Sequence, residues 1–353
     1  MKSKKNKTKR VLGGIAKFIA ILLETALLLV VGVYLIVGVV AKGPSPTAAK
    51  TLVGSLRQTS AIGFIADLYF TEDEIKEMES TGEEAVYTAT DTTLVTIAEE
   101  PEAETDGPVA DAWGLIDEDG DGLIIDPVKG EGYSGFMMVI KDPSRVRLGT
   151  LPNSYGREGY TVGQYAQAFN AIAAINAGGF YDPDGMGDGS IPDSLIVNEG
   201  KVYYANYGTA EGFVGIDSNY ILHVASTISQ KEIEEADIQY GVCFGPVLVS
   251  NGVGTDPSKL VAGLNPRTAI GQRSDGAILL LVIDGRQVIS IGASYADLVD
   301  IMLEYGAVNA LNLDGGSSSL MWYDGGYINN CASVIGIRNI PTSFVVLREG
   351  KNG

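Results

Sequence analysis

The polarity pattern begins with a basic tail, Lys2, Lys4, Lys5, Lys7, Lys9 and Arg10, followed by an overwhelmingly apolar run from Val11 to Ala41. A membrane-spanning helix needs about 20 such residues. A cleaved signal peptide has an apolar core of only about 7–15 residues. The run therefore predicts an uncleaved transmembrane anchor over 11–41. The basic tail, 1–10, predicts a cytoplasmic N-terminus and a single-pass cell-membrane protein with its C-terminal domain extracytoplasmic. Lys17 can snorkel to the inner interface, and Glu24 reads as a tolerated acid within the span.

After the break at Gly43-Pro-Ser-Pro46, apolar positions at helical spacing predict short helices over Thr47–Leu56 and Ala61–Tyr69. Thr71-Glu-Asp-Glu74 is a capping box opening a helix over Glu72–Glu79. From Glu77 through Val128 there is no lysine or arginine, and 99–108 is acidic, contains proline and has little to bury. Residues 42–108 thus read as juxtamembrane helices, a stalk or dimerisation element, plus a linker. The main domain runs over 109–353.

Within that domain, apolar runs predict strands at Phe136–Ile140, Ala171–Asn176, Ala277–Ile283, Leu311–Leu313 and Ser343–Leu347. Another, Cys243–Val249, is interrupted by Gly-Pro. Hairpins are expected around 198–201 and 217–219. Helices open at Thr161 and Ser294, and Gly306 is the expected left-handed stop of the second. The elements do not alternate regularly as βαβ. The expected fold class is α+β, a mixed or antiparallel sheet domain flanked by helices and preceded by the transmembrane helix.

A net charge of −19 excludes the basic face of a nucleic-acid binder. It also means that an anionic substrate is gripped by local arginines, not by the general field. With two cysteines, Cys243 and Cys331, and one histidine, His223, there is no set for structural zinc. The cysteines read as one disulfide or as two buried thiols. A Ser-His-Asp triad would need His223, which lies in a strand-like stretch without a nucleophile motif and reads as structural or surface. Asp117-Glu-Asp-Gly-Asp-Gly122 starts like a calcium loop, but the twelfth position is Val128, so it reads as a tight acidic turn. A second acidic glycine loop spans 182–190. The sequence requires no metal or cofactor, leaves a divalent cation open, and does not indicate an oligomeric state.

The candidate chemistry sits at three strand ends: Asn265-Pro-Arg-Thr-Ala-Ile-Gly271, Val282-Ile-Asp-Gly-Arg286 and Asn309-Ala-Leu-Asn-Leu-Asp-Gly-Gly-Ser-Ser-Ser319. Glycines at 315 and 316 permit close approach of backbone to a ligand. If these strands are neighbours, Asp284, Asp314, Arg267, Arg286, Asn176 and Asn312 converge. Arginine forks match phosphate or carboxylate oxygens, asparagines suit sugar hydroxyls or an acetamido group, and paired carboxylates suit glycosidic cleavage. The same residues are equally consistent with salt-bridged strand ends.

These motifs, with Ile175-Asn-Ala-Gly-Gly-Phe180, resemble the phosphodiester glycosidase family, in matching order over roughly 130–347. The resemblance implies hydrolysis at the sugar C1–O bond of sugar-1-phosphodiesters in envelope glycopolymers or exopolysaccharide. Asp284 and Asp314 would be catalytic, with acid and nucleophile unassigned. Asn176, Arg267, Thr268, Arg286, Asn312, Gly315, Gly316 and Ser317 would bind substrate. Ser317 departs from the family, which often has a third glycine there. A non-catalytic receptor for anionic polysaccharide or wall polymer would use the same pocket, and a structural envelope protein would use the juxtamembrane helices and linker instead.

Overall fold

The computed structural model describes residues 2–59, 62–80, 89–97, 110–152, 155–205, 212–333 and 336–348. Helix α1 (Lys2–Ala41) contains a stretch, Gly13–Ala41, long and apolar enough to cross a membrane. Ser45 accepts from the Ala48 amide and opens α2 (Pro46–Arg57). A 3-10 turn over Gly63–Leu68 follows, then α3 (Glu72–Glu79), whose Thr71–Glu74 capping box is formed as its sequence predicts. These pieces fold onto the end of α1 around Ala41, Ala49, Val53, Ala66, Phe70 and Ile75.

This unit is not a free-standing stalk. At Gly54 a Cβ would lie 1.5 Å from the Ala262 carbonyl oxygen, so only glycine lets α2 seat on the main domain there. Residues 89–97 also run along that domain: the Asp91 amide donates to Asn251 Oδ1 (2.8 Å) and the Thr96 amide to the Ser274 carbonyl (2.8 Å). The acidic stretch 99–108 and the expected boundary at 109 lie outside the described residues.

In chain order the domain contains β1 (Leu123–Gly130), β2 (Tyr133–Ile140), β3 (Val146–Thr150), α4 (Val162–Ala168), β4 (Ala171–Asn176), β5 (Ile196–Asn198), β6 (Lys201–Tyr204), β7 (Phe213–Asp217) and β8 (Leu222–Ala225). Then come α5 (Gln230–Glu235), β9 (Ile238–Cys243), β10 (Val247–Ser250), β11 (Val253–Gly254), β12 (Arg267–Arg273), β13 (Ile278–Ile283), α6 (Tyr295–Glu304), β14 (Ala307–Leu313), β15 (Met321–Tyr323), β16 (Gly326–Tyr327) and β17 (Thr342–Leu347). They form three sheets, ordered β1-β2-β13-β12-β14-β10-β11, β16-β15-β4-β17-β3 and β6-β5-β9-β7-β8. Every strand pair among the described residues is antiparallel. The fold is thus α+β with antiparallel sheets.

One core lies where the three sheets meet, with Met138, Leu280, Ile270, Leu311, Ile175, Phe344 and Val242 among its members. The other face of the long sheet buries Met137, Leu279, Leu281 and Ala269 under Leu298, Ile301 and Met302 of α6. Burial on both faces explains why β13 reads as a continuous apolar run without alternation.

Two strand assignments differ from the sequence expectation. Cys243–Val249 is not one interrupted strand: β9 ends at Cys243 and β10 begins at Val247, in different sheets, with Gly245-Pro246 between them. Strand β1 escapes the apolar pattern because Asp126-Pro127 interrupts it. Its place at a sheet edge is where a proline without an N–H is tolerated.

His223 pairs with Asp217 at 3.1 Å in the third sheet, a structural position. Both cysteines are free thiols. In the 117–121 turn, Asp117 accepts from the amides of Gly120 (2.9 Å) and Gly122 (3.1 Å) and pairs with Lys141 (3.1 Å).

Candidate active site

The site follows from the order β13-β12-β14. Arg267 stands opposite Ile283, and Thr268 opposite Leu313. Antiparallel pairing therefore puts the start of β12 beside the ends of both neighbours, and Arg267, Asp284 and Asp314 gather at one edge of the sheet. The turns there are tightly fitted. A Cβ at Gly285 would stand 2.5 Å from the Pro266 nitrogen, and the Gly316 amide donates to the Pro266 carbonyl (2.9 Å).

Gly316 has φ +61°, and a Cβ there would come within 3.2 Å of the Arg286 guanidinium. Arg286 itself has φ +57°, a region sparsely used by residues with a side chain. Such backbone is held only where its surroundings over-determine it; here the Arg286 amide is bound to the Ile291 carbonyl at 2.9 Å.

Arg267 is buried. Its Nε donates to the Ala293 carbonyl (3.1 Å), its Nη2 to the Gly263 carbonyl (3.0 Å) and to Gln58 Oε1 (2.7 Å), and its guanidinium lies 3.9 Å from the Tyr295 ring centroid. Arg286 Nη2 donates to Thr59 Oγ1 (2.8 Å) and Asn265 Oδ1 (3.2 Å). Neither arginine has a carboxylate partner among the described residues. Desolvation first, and the like charge of Arg267 second, hold the Arg286 pKa below its ordinary value. Two cations held close by neutral oxygens make a site short of negative charge, which suits an anion.

Asp314 is the opposite case. The residue keeps some exposed surface, but its Oδ2 is shut off from solvent and accepts from nothing. Burial, with smaller contributions from the carboxylates of Asp182 and Asp193, raises its pKa to about 7 against the Ser318 hydroxyl and Gly315 amide, which favour the charged form. Asp284 is buried and accepts three hydrogen bonds, leaving acceptor capacity to spare. Its Oδ1 accepts from Asn329 Nδ2 and the Asn330 amide (both 3.0 Å), and its Oδ2 from Asn330 Nδ2 (2.7 Å). All three partners are donors, which suits an acceptor-only carboxylate.

Three expected substrate contacts are placed differently. Asn176, Thr268 and Asn312 are fully buried. Asn176 Nδ2 donates to the Asp314 carbonyl (2.5 Å), and its Oδ1 accepts from the Thr268 hydroxyl (2.9 Å) and the Leu320 amide (3.2 Å). Asn312 Nδ2 donates to the Gly245 carbonyl (2.6 Å), while its buried Oδ1 has no partner. Burying these amides next to strand ends ties β4, β12 and β14 together instead of turning them outward. Gly315, Gly316 and Ser317 do lie in the partly open turn, where Ser317 Oγ accepts from Arg338 Nη1 (3.1 Å).

The structure adds residues that the sequence reading leaves out. Asn329 Nδ2 links Asp284 to the Ser319 carbonyl (3.0 Å), and its Oδ1 accepts from the Met321 amide (2.8 Å). Arg338 pairs with Asp182 (2.6 Å) and also donates to the Gly187 carbonyl (2.8 Å), joining the 182–188 loop to the Gly-Gly-Ser turn. Gln58 and Thr59 reach the arginines from the end of α2. The Asn-Asn pair at 329–330 is a local polar cluster that a search for carboxylate partners could flag; nothing in the ordinary helix end at 58–59 marks it. Asn329→Ala strands the Met321 amide and one Asp284 bond, and should lower stability by about 1–3 kcal/mol in denaturant titrations.

Residues 169–347 match the family described as phosphodiester glycosidase. The chain is 32% identical over 204 residues to a SPbeta prophage-derived uncharacterized protein, YomE, of Bacillus subtilis (strain 168); the match covers 55% of this chain and 30% of that protein. The catalytic domain of zebrafish N-acetylglucosamine-1-phosphodiester alpha-N-acetylglucosaminidase, solved auto-inhibited by pro-peptide, superposes with a TM-score of 0.53 at 19% identity. That superposition covers 64% of this chain and 82% of the zebrafish chain, a likeness of fold.

Proposed function

Because this chain belongs to the phosphodiester glycosidase family, we propose that it is a membrane-anchored hydrolase of sugar-1-phosphodiesters, N-terminus inside, acting on glycopolymers of the cell envelope. The observation that carries the reading is the Arg267–Arg286 pair, bound among the described residues to neutral oxygens and not to carboxylates, and joined through the Gly315–Gly316 turn to a buried carboxyl poised near neutrality.

In this reading the non-bridging phosphate oxygens accept from Arg267 and Arg286, exchanging for the neutral oxygens of Gln58, Asn265 and Thr59. Protonated Asp314 adds no negative charge beside the phosphate and donates its proton to the bridging oxygen as the C1–O bond breaks. Asp284 accepts the proton of the water that adds to C1. The products are the free sugar and a phosphate monoester. Environments that give two carboxyl groups different duties are the usual way to divide acid from base. Asn176, Thr268 and Asn312 act by holding the strand ends in register, and Asn329 and Asn330 by orienting Asp284.

The test uses the full chain in detergent with N-acetylglucosamine-1-phosphodiesters and weighs the products. Free sugar with an intact phosphate monoester is expected. A sugar 1-phosphate would place cleavage on the other side of phosphorus and contradict the reading. Binding without product would assign the chain as a receptor for anionic glycans.

A further inference from the structure

We propose that the candidate site works against the outer leaflet of the bilayer and that its substrate is a sugar-1-phosphodiester with a lipid aglycone. This rests on reading α1 as a membrane span and on the hydrolase function proposed above.

The geometry starts at the end of α1. The Tyr34 and Tyr69 rings stack with centroids 5.1 Å apart, and Tyr69 Oη donates to the Tyr34 carbonyl (2.7 Å). Gly38 leaves room for the Tyr69 ring. The apolar stretch is 29 residues long, more than the about 20 needed to cross the hydrocarbon. Its last turns, with this tyrosine pair, therefore fall at the outer interface, where tyrosine is favoured.

The 3-10 turn leading to Tyr69 shows solvent Ile62 (40% exposed), Phe64 (61%) and Leu68 (55%). The start of the turn is tied to Thr59, whose carbonyl accepts from the amides of Ile62 (3.1 Å) and Gly63 (3.0 Å). Thr59 is also the residue bound to Arg286. The Thr59 carbonyl is 3.0 Å from the Gly63 amide, and at the about 2 Å rise of a 3-10 helix the turn over Gly63–Leu68 spans only about 10 Å, so Thr59 lies within about 20 Å of Tyr69. The phosphate end of the site is therefore within that reach of the interface.

A second apolar projection starts at Arg286 itself. Residues 287–290 form a turn closed by the Gln287 amide on the Ser290 carbonyl (2.9 Å), and the neighbouring residues are tied by the Arg286 amide on the Ile291 carbonyl. Its tip carries Val288 (102% exposed) and Ile289 (81%), with Ile291 (56%) behind. Large apolar side chains at such exposure, in two projections that leave Thr59 and Arg286, which bind each other, and joined to a membrane-length helix, are of the kind that marks an interaction surface. The outer leaflet is the occupant that the same chain already brings alongside. With these projections in the interface, Arg267 and Arg286 lie at headgroup depth. There they can take the phosphate of an amphiphile whose sugar points inward to Asp314 and whose chain stays in the lipid.

The experiment reconstitutes the full chain in phospholipid vesicles and compares two diesters of N-acetylglucosamine 1-phosphate: a polyprenyl ester embedded in the vesicle and the water-soluble methyl ester. The variant is V288S/I289S, outside the residues assigned to chemistry. It should lower kcat/KM on the polyprenyl ester about tenfold or more and leave the methyl ester within about twofold. An equal loss on both esters, or no loss on the polyprenyl ester, overturns the proposal.

Turnover of neither ester by the unmodified protein would be a failure of the hydrolase reading alone. The membrane contact is then decided by a fluorophore on Val288→Cys, in a full-length Cys243→Ala, Cys331→Ala background. Quenching by shallow nitroxide lipids is expected. An unquenched probe, or disulfide crosslinking between unlabelled copies of the Val288→Cys variant in place of quenching, overturns the proposal, the latter by assigning the patch to a second copy of the chain.

Discussion

Asp314→Asn should lower kcat by roughly 10²–10⁴-fold, the contribution expected of a positioned general acid, and should remove a pH-dependent limb from both the activity and the stability profile. The carboxyl titrates at about 7 because burial disfavours its charged form. The unmodified enzyme therefore loses activity as pH rises through about 7. The residual activity of the variant, which has an amide there, should lack that limb.

Native stability also falls as pH rises, over a lower window. In the unfolded chain this carboxyl ionises near its ordinary value of about 4. Between there and about 7 the native state holds a proton that the unfolded state has released, so native stability falls as pH rises across that window and then levels off. Asparagine removes this contribution. Relative to the unmodified protein, Asp314→Asn should melt higher at pH 8 than it does at pH 4, measured as the difference in Tm between the two proteins at each pH. Loss of activity without this pH-dependent gain in stability would mean that the buried carboxyl is not the proton donor described here.

The second large effect is expected at the arginines. Arg286→Ala and Arg267→Ala should each lower kcat/KM on phosphodiesters roughly 10²–10³-fold, the range for removing a preorganised charged or hydrogen-bonding group from a developing anion. Lysine should not restore Arg267. Its single ammonium cannot reach Ala293, Gly263 and Gln58 together, and it lacks the planar face that lies on Tyr295. Arg286→Ala should also relieve the like-charge contact with Arg267, so its fold is expected to survive. A neutral aryl glycoside of the same sugar separates the roles: the arginine variants should affect it far less than the diester, whereas Asp314→Asn should affect both. Equal losses on both substrates would place the arginines in the framework instead of at the phosphate.

The parts of this site that are legible in the sequence are those whose signal is local. Arg267, Asp284 and Asp314 each sit at the end of an apolar run next to glycine or proline, and the pattern identifies them as strand ends. What the pattern does not contain is the sheet order. Their meeting depends on β12 lying between β13 and β14, and on a register that pairs Arg267 with Ile283. Polar residue types also say nothing of direction. Asn176 and Asn312 read as sugar ligands, yet both are wholly buried and tied to backbone carbonyls.

The largest omission is Gln58. It reaches Arg267 across 209 positions from a unit that reads as a stalk. Its docking turns on Gly54, a glycine inside a helix whose reason becomes visible only when the Ala262 carbonyl is seen against it. Arg338 and Asn329 escape the sequence pattern for the same reason: their partners, Asp182 and Asp284, are distant in the chain.

Hydrolysis of an N-acetylglucosamine-1-phosphodiester by the full chain in water enriched in oxygen-18 bears most directly on the central claim. Cleavage of the C1–O bond, with water adding to the sugar, predicts one heavy oxygen in the released sugar and none in the phosphate monoester. The rate of that incorporation should collapse in Asp314→Asn. Heavy oxygen in the phosphate, with unlabelled sugar, would mean attack at phosphorus and would contradict the assignment of Asp314 and of the arginine pair.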